Sequence, residues 1–199
     1  YATLTFTMPT DKDVKITASK IATPLKIENG LPVDSLGSYF GSPYDGWTYN
    51  SGVETEELNK AMTIEDWYTA DLENNAVKWR ITNNGILQNG TIRNSVTNNG
   101  TVKDVTCTSD FINNGEIISG VFSRYAKFGK QNPSVRWVTV NGGTVNGMTT
   151  AGVVGEQEVI ITAPDGFKCW SVAGDTDFTL TEEQKHTNPL TLKLNGEDK

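Results

Sequence analysis

The chain has 199 residues, enough for one or two domains. A compact chain of this size hides about 70% of its unfolded surface, so a core forms without staples. Its net charge of −7 and pI of about 4.8 argue against holding nucleic acid or an anionic membrane, both of which are gripped through Lys and Arg.

Residues 2–8 alternate strictly, with Leu4, Phe6 and Met8 on one face and threonines on the other. That is the pattern of a half-buried strand. A turn from Pro9 to Asp13 and the apolar pair Val14 and Ile16 complete a hairpin. No signal peptide precedes this pattern. The expectation is a piece of a longer or processed protein. Residues 21–50 interleave glycine, proline and aromatics and read as ordered loop with short strands. A helix is expected at 53–62, with Ser51 at its N-cap and Glu54 and Glu56 in the first turn, where the helix dipole favours acid.

The triplet Asn-Asn-Gly then occurs at 83–85, 98–100 and 113–115, always 15 residues apart. A fixed short period is the mark of stacked structural repeats. The apolar residues keep the same beat. Leu87, Val102 and Ile117 are equivalent, as are Ile92, Cys107 and Phe122, and Ile81, Val96 and Phe111. An earlier copy supplies Leu72 and Val77. Three inward positions per repeat give three short faces, hence a slim triangular β-solenoid of about four 15-residue coils over 66–128. Asn-Gly is expected to supply left-handed corners. A set of hairpins with Asn-Gly turns is the competing arrangement, but it does not require three columns in register. Both solenoid ends need covers, for which Trp67 and the short helix serve at one end and Tyr125 and Phe128 at the other.

From residue 134 the pattern changes. Val138-Thr139-Val140, Val159-Ile160-Ile161 and the alternating Leu190, Leu192 and Leu194 are strand-like, separated by glycine-rich turns. The expected fold is therefore mostly β, with an N-terminal hairpin and aromatic cap segment at 1–65, a solenoid at 66–128 and a β-rich module at 134–199. One short helix is expected.

Two stretches resemble divergent repeat modules of bacterial surface proteins, related to the B-repeat of internalin-type proteins. One is Thr5-Phe6-Thr7-Met8-Pro9 with Asp13-Val14-Lys15-Ile16-Thr17-Ala18, similar to closing strands of such a module. The other runs from Val138-Thr139-Val140-Asn141-Gly142-Gly143 through Gly155-Glu156-Gln157-Glu158-Val159-Ile160-Ile161-Thr162-Ala163 to Gly166-Phe167-Lys168-Cys169-Trp170, similar to opening strands. Together they cover under half of the chain. The turn after Pro9 is one residue longer than the family pattern, and the second copy ends without the Phe-x-Met-Pro close. The resemblance implies an extracellular, repetitive polypeptide on a bacterial surface, with further modules alongside. It implies no catalytic residue.

The residues themselves offer no catalytic set. His186, the single histidine, lies in a polar stretch with no Ser or Cys beside it, and it reads as a solvated side chain. Glu65 with Asp66, Asp71 with Glu73, or Asp104 with Asp110 are the carboxylate pairs to weigh for glycosidic cleavage. Four short coils offer little cleft to place them about 5–10 Å apart across a sugar. Cys107 and Cys169 are too few for a disulfide framework, and Cys107 reads as a small buried hydrophobe. Asp11 and Asp13 share a turn, but no glycine-spaced acidic loop follows, so neither a metal nor a cofactor is expected.

The aromatics Tyr39, Tyr44, Trp47, Tyr49, Trp67 and Tyr68 are the best binding candidates. Sugars stack on exposed rings beside amide and carboxylate groups. The glycine-rich loop singles out Tyr44 and Trp47, with Asp45 and Asn50 as hydrogen-bonding partners. The alternative is that these rings cap the solenoid and fill a join. The functional expectation is a non-catalytic surface segment, spacer or adhesive, recognising a glycan or a host protein. A carbohydrate-active enzyme or its accessory binding module is the alternative. No run of 18 apolar residues offers a membrane span.

Overall fold

A computed structural model describes residues 26–28, 31–33, 47–49, 61–74, 76–77, 80–174 and 178–197. Strands β1 (Lys26–Glu28) and β2 (Leu31–Val33) form an antiparallel pair. Strand β3 (Trp47–Tyr49) lies antiparallel to β4 (Ala61–Ile64). The hairpin expected at 2–16 lies outside the described residues, as does most of the helix expected at 53–62. Its last two residues, Ala61 and Met62, belong to β4 instead. Met62 and Ile64 alternate inward and are fully buried, and that burial outweighs local helix preference.

From β4 the chain winds as a parallel β-solenoid of about four coils. The first holds β4, β5 (Thr69–Asp71) and β6 (Ala76–Val77), and the second β7 (Arg80–Asn83) and β8 (Ile86–Ile92). The third holds β9 (Val96–Asn98) and β10 (Thr101–Cys107). The fourth holds β11 (Phe111–Asn113), β12 (Glu116–Ile117) and β13 (Gly120–Ser123). The three expected columns are present. Ile81 pairs with Val96 and Val96 with Phe111; Leu87 with Val102 and Val102 with Ile117; Ile92 with Cys107 and Cys107 with Phe122. All nine are buried. Each contributes roughly 1.5–3 kcal/mol of gross burial if fully removed from water, Cys107 less. The first coil departs from the beat. Val77 keeps the step to Ile92, but Ala70, not Leu72, stands beneath Leu87. The longer turn at Glu65–Tyr68 shifts Leu72 past that place, and it is buried one corner further on.

The expectation that Asn-Gly supplies left-handed corners holds at Asn89-Gly90 but not at the three triplets. Left-handed backbone occurs at Asn74, Asn89 and Asp104, with φ of 64°, 56° and 52°. These bend the chain between the second and third faces. None of Gly85, Gly100 and Gly115 is left-handed. Their requirement is steric. A Cβ on Gly100 would run into the carbonyl oxygen of Gly85, and one on Gly115 into that of Gly100. The first Asn of each triplet is also not a turn residue. Asn83, Asn98 and Asn113 point inward, fully or almost fully buried. Asn83 Nδ2 donates to Asn98 Oδ1 and Asn98 Nδ2 to Asn113 Oδ1, both at 2.7 Å. Each also donates to a backbone carbonyl of the coil above, Thr101 O or Glu116 O at 3.0 Å. Stacked asparagines satisfy one another along the ladder, while Asn83 Oδ1 at its lower end is buried without a hydrogen-bond partner among the described residues. The second asparagines repeat the ladder outside, with Asn99 donating to Asn84 at 2.9 Å and Asn114 to Asn99 at 3.0 Å.

At the upper end Phe122 stacks on Phe111 at 4.6 Å and meets Phe128 edge-on at 5.6 Å. Phe128 and Trp67 pack against this core as expected. Tyr125 does not, being 56% exposed with its ring beneath Arg124.

The C-terminal module grows directly from the last coil. Strands β14 (Arg136–Thr139) and β16 (Thr150–Val154) continue the solenoid sheet, with β16 antiparallel to both β13 and β14. One sheet therefore runs β14-β16-β13-β10-β8-β5. A second, antiparallel sheet orders β15 (Thr144–Val145), β17 (Glu156–Thr162) and β18 (Leu190–Asn195). Val121, Ala151 and Val153 from the first sheet pack with Val159, Ile161, Leu190, Leu192 and Leu194 from the second. Helix α1 (Glu182–Lys185) sits in the connection to β18, closed by a capping box between Thr181 and Gln184. Asp104 Oδ1 accepts hydrogen bonds from Ser119 Oγ at 2.6 Å and from Gln157 Nε2 at 2.9 Å, which ties the solenoid corner to β17.

Both cysteines are free, Cys107 buried and Cys169 exposed. Burial pushes the Cys107 thiol up to about 12, so almost no thiolate forms there near neutral pH. A thiol reagent on the native protein at pH 7.5 is expected to label Cys169 alone, with a second equivalent only after denaturation, as counted by mass spectrometry.

Candidate functional site

The C-terminal module leaves a groove of about 750 Å³ between β14 and the second sheet. This is within the range of small-ligand sites. Its floor is apolar because Val140, just past β14, meets inward residues of the second sheet there: Ile161, Leu190 and Leu192. Aromatic rings from the long connection between β17 and β18 form its wall. Phe167 and Trp170 lie 4.6 Å apart with planes tilted by 43°. Phe178 also lines the groove, with the Arg136 guanidinium 5.4 Å over its ring. Trp137, half exposed, completes the rim.

The wall is held by specific hydrogen bonds. Trp170 Nε1 donates to Thr187 O and its backbone N to Lys185 O, both at 2.8 Å. His186 Nδ1 lies 3.1 Å from Lys168 O, so this exposed histidine anchors the connection rather than facing a nucleophile. Asn188 closes the base of the loop. Its Oδ1 accepts from Ala163 N at 2.9 Å and its Nδ2 donates to Ala163 O at 3.2 Å. An aromatic platform fixed in this way can stack a flat apolar ligand face without first being ordered, which reduces the entropic cost of binding. Asp165 is the single carboxylate among the described lining residues.

Among the residues singled out from sequence, Tyr39, Tyr44, Asp45 and Asn50 lie outside the described residues. Trp47 opens β3 and Tyr49 closes it. Trp67 and Tyr68 form an edge-on pair at 5.6 Å, and Tyr68 is buried, so these two belong to the solenoid core. Two of the weighed carboxylates, Asp71 and Asp104, are engaged in structure. Asp71 Oδ1 accepts from Glu73 N at 2.9 Å, and its Oδ2 from Gln88 Nε2 at 2.7 Å and Asn89 Nδ2 at 2.8 Å. Asp104 makes the link to Gln157 already described. No group of three or more His, Cys, Asp or Glu among the described residues is arranged to hold a metal ion. No described helix is long and apolar enough to cross a membrane.

Partial burial raises the Asp71 carboxyl, but three donated hydrogen bonds outweigh that and hold it below its ordinary 3.8. A carboxyl lowered on folding adds stability that is fully present above pH 3.8 and disappears as pH falls through the lower folded value. Asp71→Asn is therefore expected to be less stable than the parent near neutral pH and to lose that difference as pH falls through the lowered folded value. Urea melts across pH 2–7 read both.

Phe167 and Trp170 were visible in the sequence beside the turn Pro164-Asp165-Gly166, as a Phe-x-x-Trp pair. Their meeting with Phe178 and Arg136 depends on long-range packing, which no local pattern announces. No protein-family model, curated protein or solved structure matches this chain.

Proposed function

We propose that this chain is a non-catalytic segment of a bacterial surface protein, acting as a stiff spacer that presents a recognition groove. The observation that carries this reading is the single sheet shared by solenoid and C-terminal module. A spacer must transmit position, and strands hydrogen-bonded across the join resist bending better than a linker. The link from Asp104 to Gln157, and that from Asn146 Nδ2 to Thr106 Oγ1 at 3.3 Å, supports the same rigidity.

The ligand of the groove is then a glycan, with an extended segment of a host protein as the competing occupant. Aromatic faces, one carboxylate and hydrophilic rims suit a sugar ring. Resemblance of 138–170 to surface-repeat modules supports an extracellular setting. A carbohydrate-cleaving enzyme would need two carboxyl groups about 5–10 Å apart flanking the site. Among the described lining residues the groove supplies Asp165 alone.

Tryptophan fluorescence titration with cello-, xylo- and N-acetylglucosamine oligosaccharides and with mucin glycopeptides tests the glycan. Saturable binding that Trp170→Ala weakens roughly tenfold or more is expected, because a lost stacking partner costs about 1.5 kcal/mol. Binding unchanged in Trp170→Ala would place the ligand elsewhere. Release of shortened sugars would favour the enzymatic alternative.

A further inference from the structure

The fourth coil ends the stack, and each of its three faces is closed by different means. On the first face the segment after β13 pairs with β11: Asn113 N donates to Lys127 O at 2.8 Å and Lys127 N to Phe111 O at 2.7 Å. On the third face β16 pairs with β13. On the second face no strand arrives among the described residues. The strand edge at the buried Ile117 is met instead by the side chain of Gln131, the last residue of a 3-10 turn at Gly129–Gln131. Gln131 Oε1 accepts from Ile117 N at 2.7 Å, and Gln131 Nε2 donates to Ile117 O at 3.1 Å. The same Oε1 accepts from Asn113 Nδ2 at 3.3 Å, ending the buried asparagine ladder. A primary amide thus reproduces the C=O and N–H that a fifth coil would present at this point.

The surroundings make that closure important. Exposed edges are commonly protected by charge, above all by lysine. Here the outward residue fifteen places beyond Lys103 is Ile118, 50% exposed, and the one in register with Thr82 and Thr97 is Ile112, 44% exposed. The terminal coil therefore carries isoleucine where inner coils carry lysine, glutamine or threonine. An arriving strand would meet apolar flanks, with Glu116 the sole charge of β12.

We propose that Gln131 is the stop of the coil stack. It occupies the backbone groups of Ile117 that would otherwise accept an edge strand from a second copy of this chain. The inference is independent of what the groove binds.

The test is light scattering behind size exclusion on the full chain over a hundredfold concentration range. Circular dichroism checks folding. The parent is expected to keep one mass. Gln131→Ala is expected to gain mass with concentration and to melt roughly 5–10 °C lower, since a paired donor and acceptor at a buried residue are left open. Adding Ile118→Lys to Gln131→Ala should restore the parent's mass without restoring its melting temperature, because the charge guards the edge but makes no bond to Ile117. A folded Gln131→Ala that keeps the parent's mass at every concentration overturns the proposal, as does association that Ile118→Lys leaves untouched. Should Gln131→Ala fail to fold, Gln131→Met keeps length and packing while losing both bonds. A folded Gln131→Met of parental mass is equally fatal, and one that associates and is rescued by Ile118→Lys sustains the stop.

Discussion

Val102→Asp is expected to abolish cooperative folding of the solenoid. Val102 is fully buried at the middle of the column between Leu87 and Ile117, with a coil on either side. Its replacement removes an apolar side chain and places a carboxylate where no cation or donor is available. The loss of burial is about 2 kcal/mol, and an unpaired buried charge adds roughly 3 kcal/mol or more. A total of about 5 kcal/mol is comparable with the whole stability of many domains. The shared sheet spreads the damage, because β10 lies between β8 and β13 and β13 carries the C-terminal module. Loss of the thermal transition by circular dichroism is the expected result. A melting curve matching the parent's would mean that Val102 faces solvent.

Gly100→Ala is the second large effect, and it comes from a single methyl group. The added Cβ would collide with the carbonyl oxygen of Gly85 and approach Asn84 O at 2.6 Å. Gly85 O also accepts the hydrogen bond from Thr101 N at 2.8 Å, so it cannot retreat without breaking the inter-coil ladder. The coils must spread at the corner, which also disturbs the asparagine ladder through Asn98 Nδ2 and Gly100 O at 3.2 Å. A loss of roughly 2–4 kcal/mol is expected, in the range of overpacking plus a broken buried bond. Gly142→Ala separates this from ordinary glycine effects. Gly142 has φ of +75° and nothing within 4 Å of its would-be Cβ, so only backbone strain of about 1 kcal/mol is at stake. Urea denaturation of the two variants should give clearly unequal losses. Equal losses would assign Gly100 a conformational rather than a steric role.

The contrast between these glycines also explains how the sequence could be read in part. Leu87, Val102 and Ile117 were legible because burial repeats with the coil, and any period in burial survives as a period in residue type. The triplet was legible as a repeat but not in its chemistry. Asn-Gly is strong turn grammar, so left-handed corners were the natural expectation. The real demand at Asn98 is a buried amide to continue a ladder, and at Gly100 the absence of a Cβ. Both yield the same letters for a different reason. The true left-handed corners, Asn89 and Asp104, lie within what a pattern reading takes as outward strand positions. The first coil was poorly legible because its longer turn breaks the step, placing Ala70 under Leu87.

The second half shows the same division. Leu190, Leu192 and Leu194 announced β18 by alternation. The pairing of β16 with β13 had no local signature, since antiparallel partners far apart in sequence share no period. Helix α1 is a single turn held by its capping box, too short for an apolar stripe. The groove depends on all three, which is why binding was sought in the aromatic segment at 39–68 instead. Gln131 was equally hidden, because a lone polar residue after a proposed end segment reads as surface until its two bonds to Ile117 are seen.

The solenoid is held by vertical contact between side chains one repeat apart. Selective methyl labelling of leucine, valine and isoleucine, followed by a nuclear Overhauser spectrum, reads that contact directly. Cross-peaks should join Leu87 to Val102 and Val102 to Ile117. Leu87 to Ile117 should be far weaker, two coil spacings or about 10 Å apart. A spectrum in which Val102 touches neither neighbour, and meets methyls of some other segment instead, would contradict the solenoid and everything built upon it.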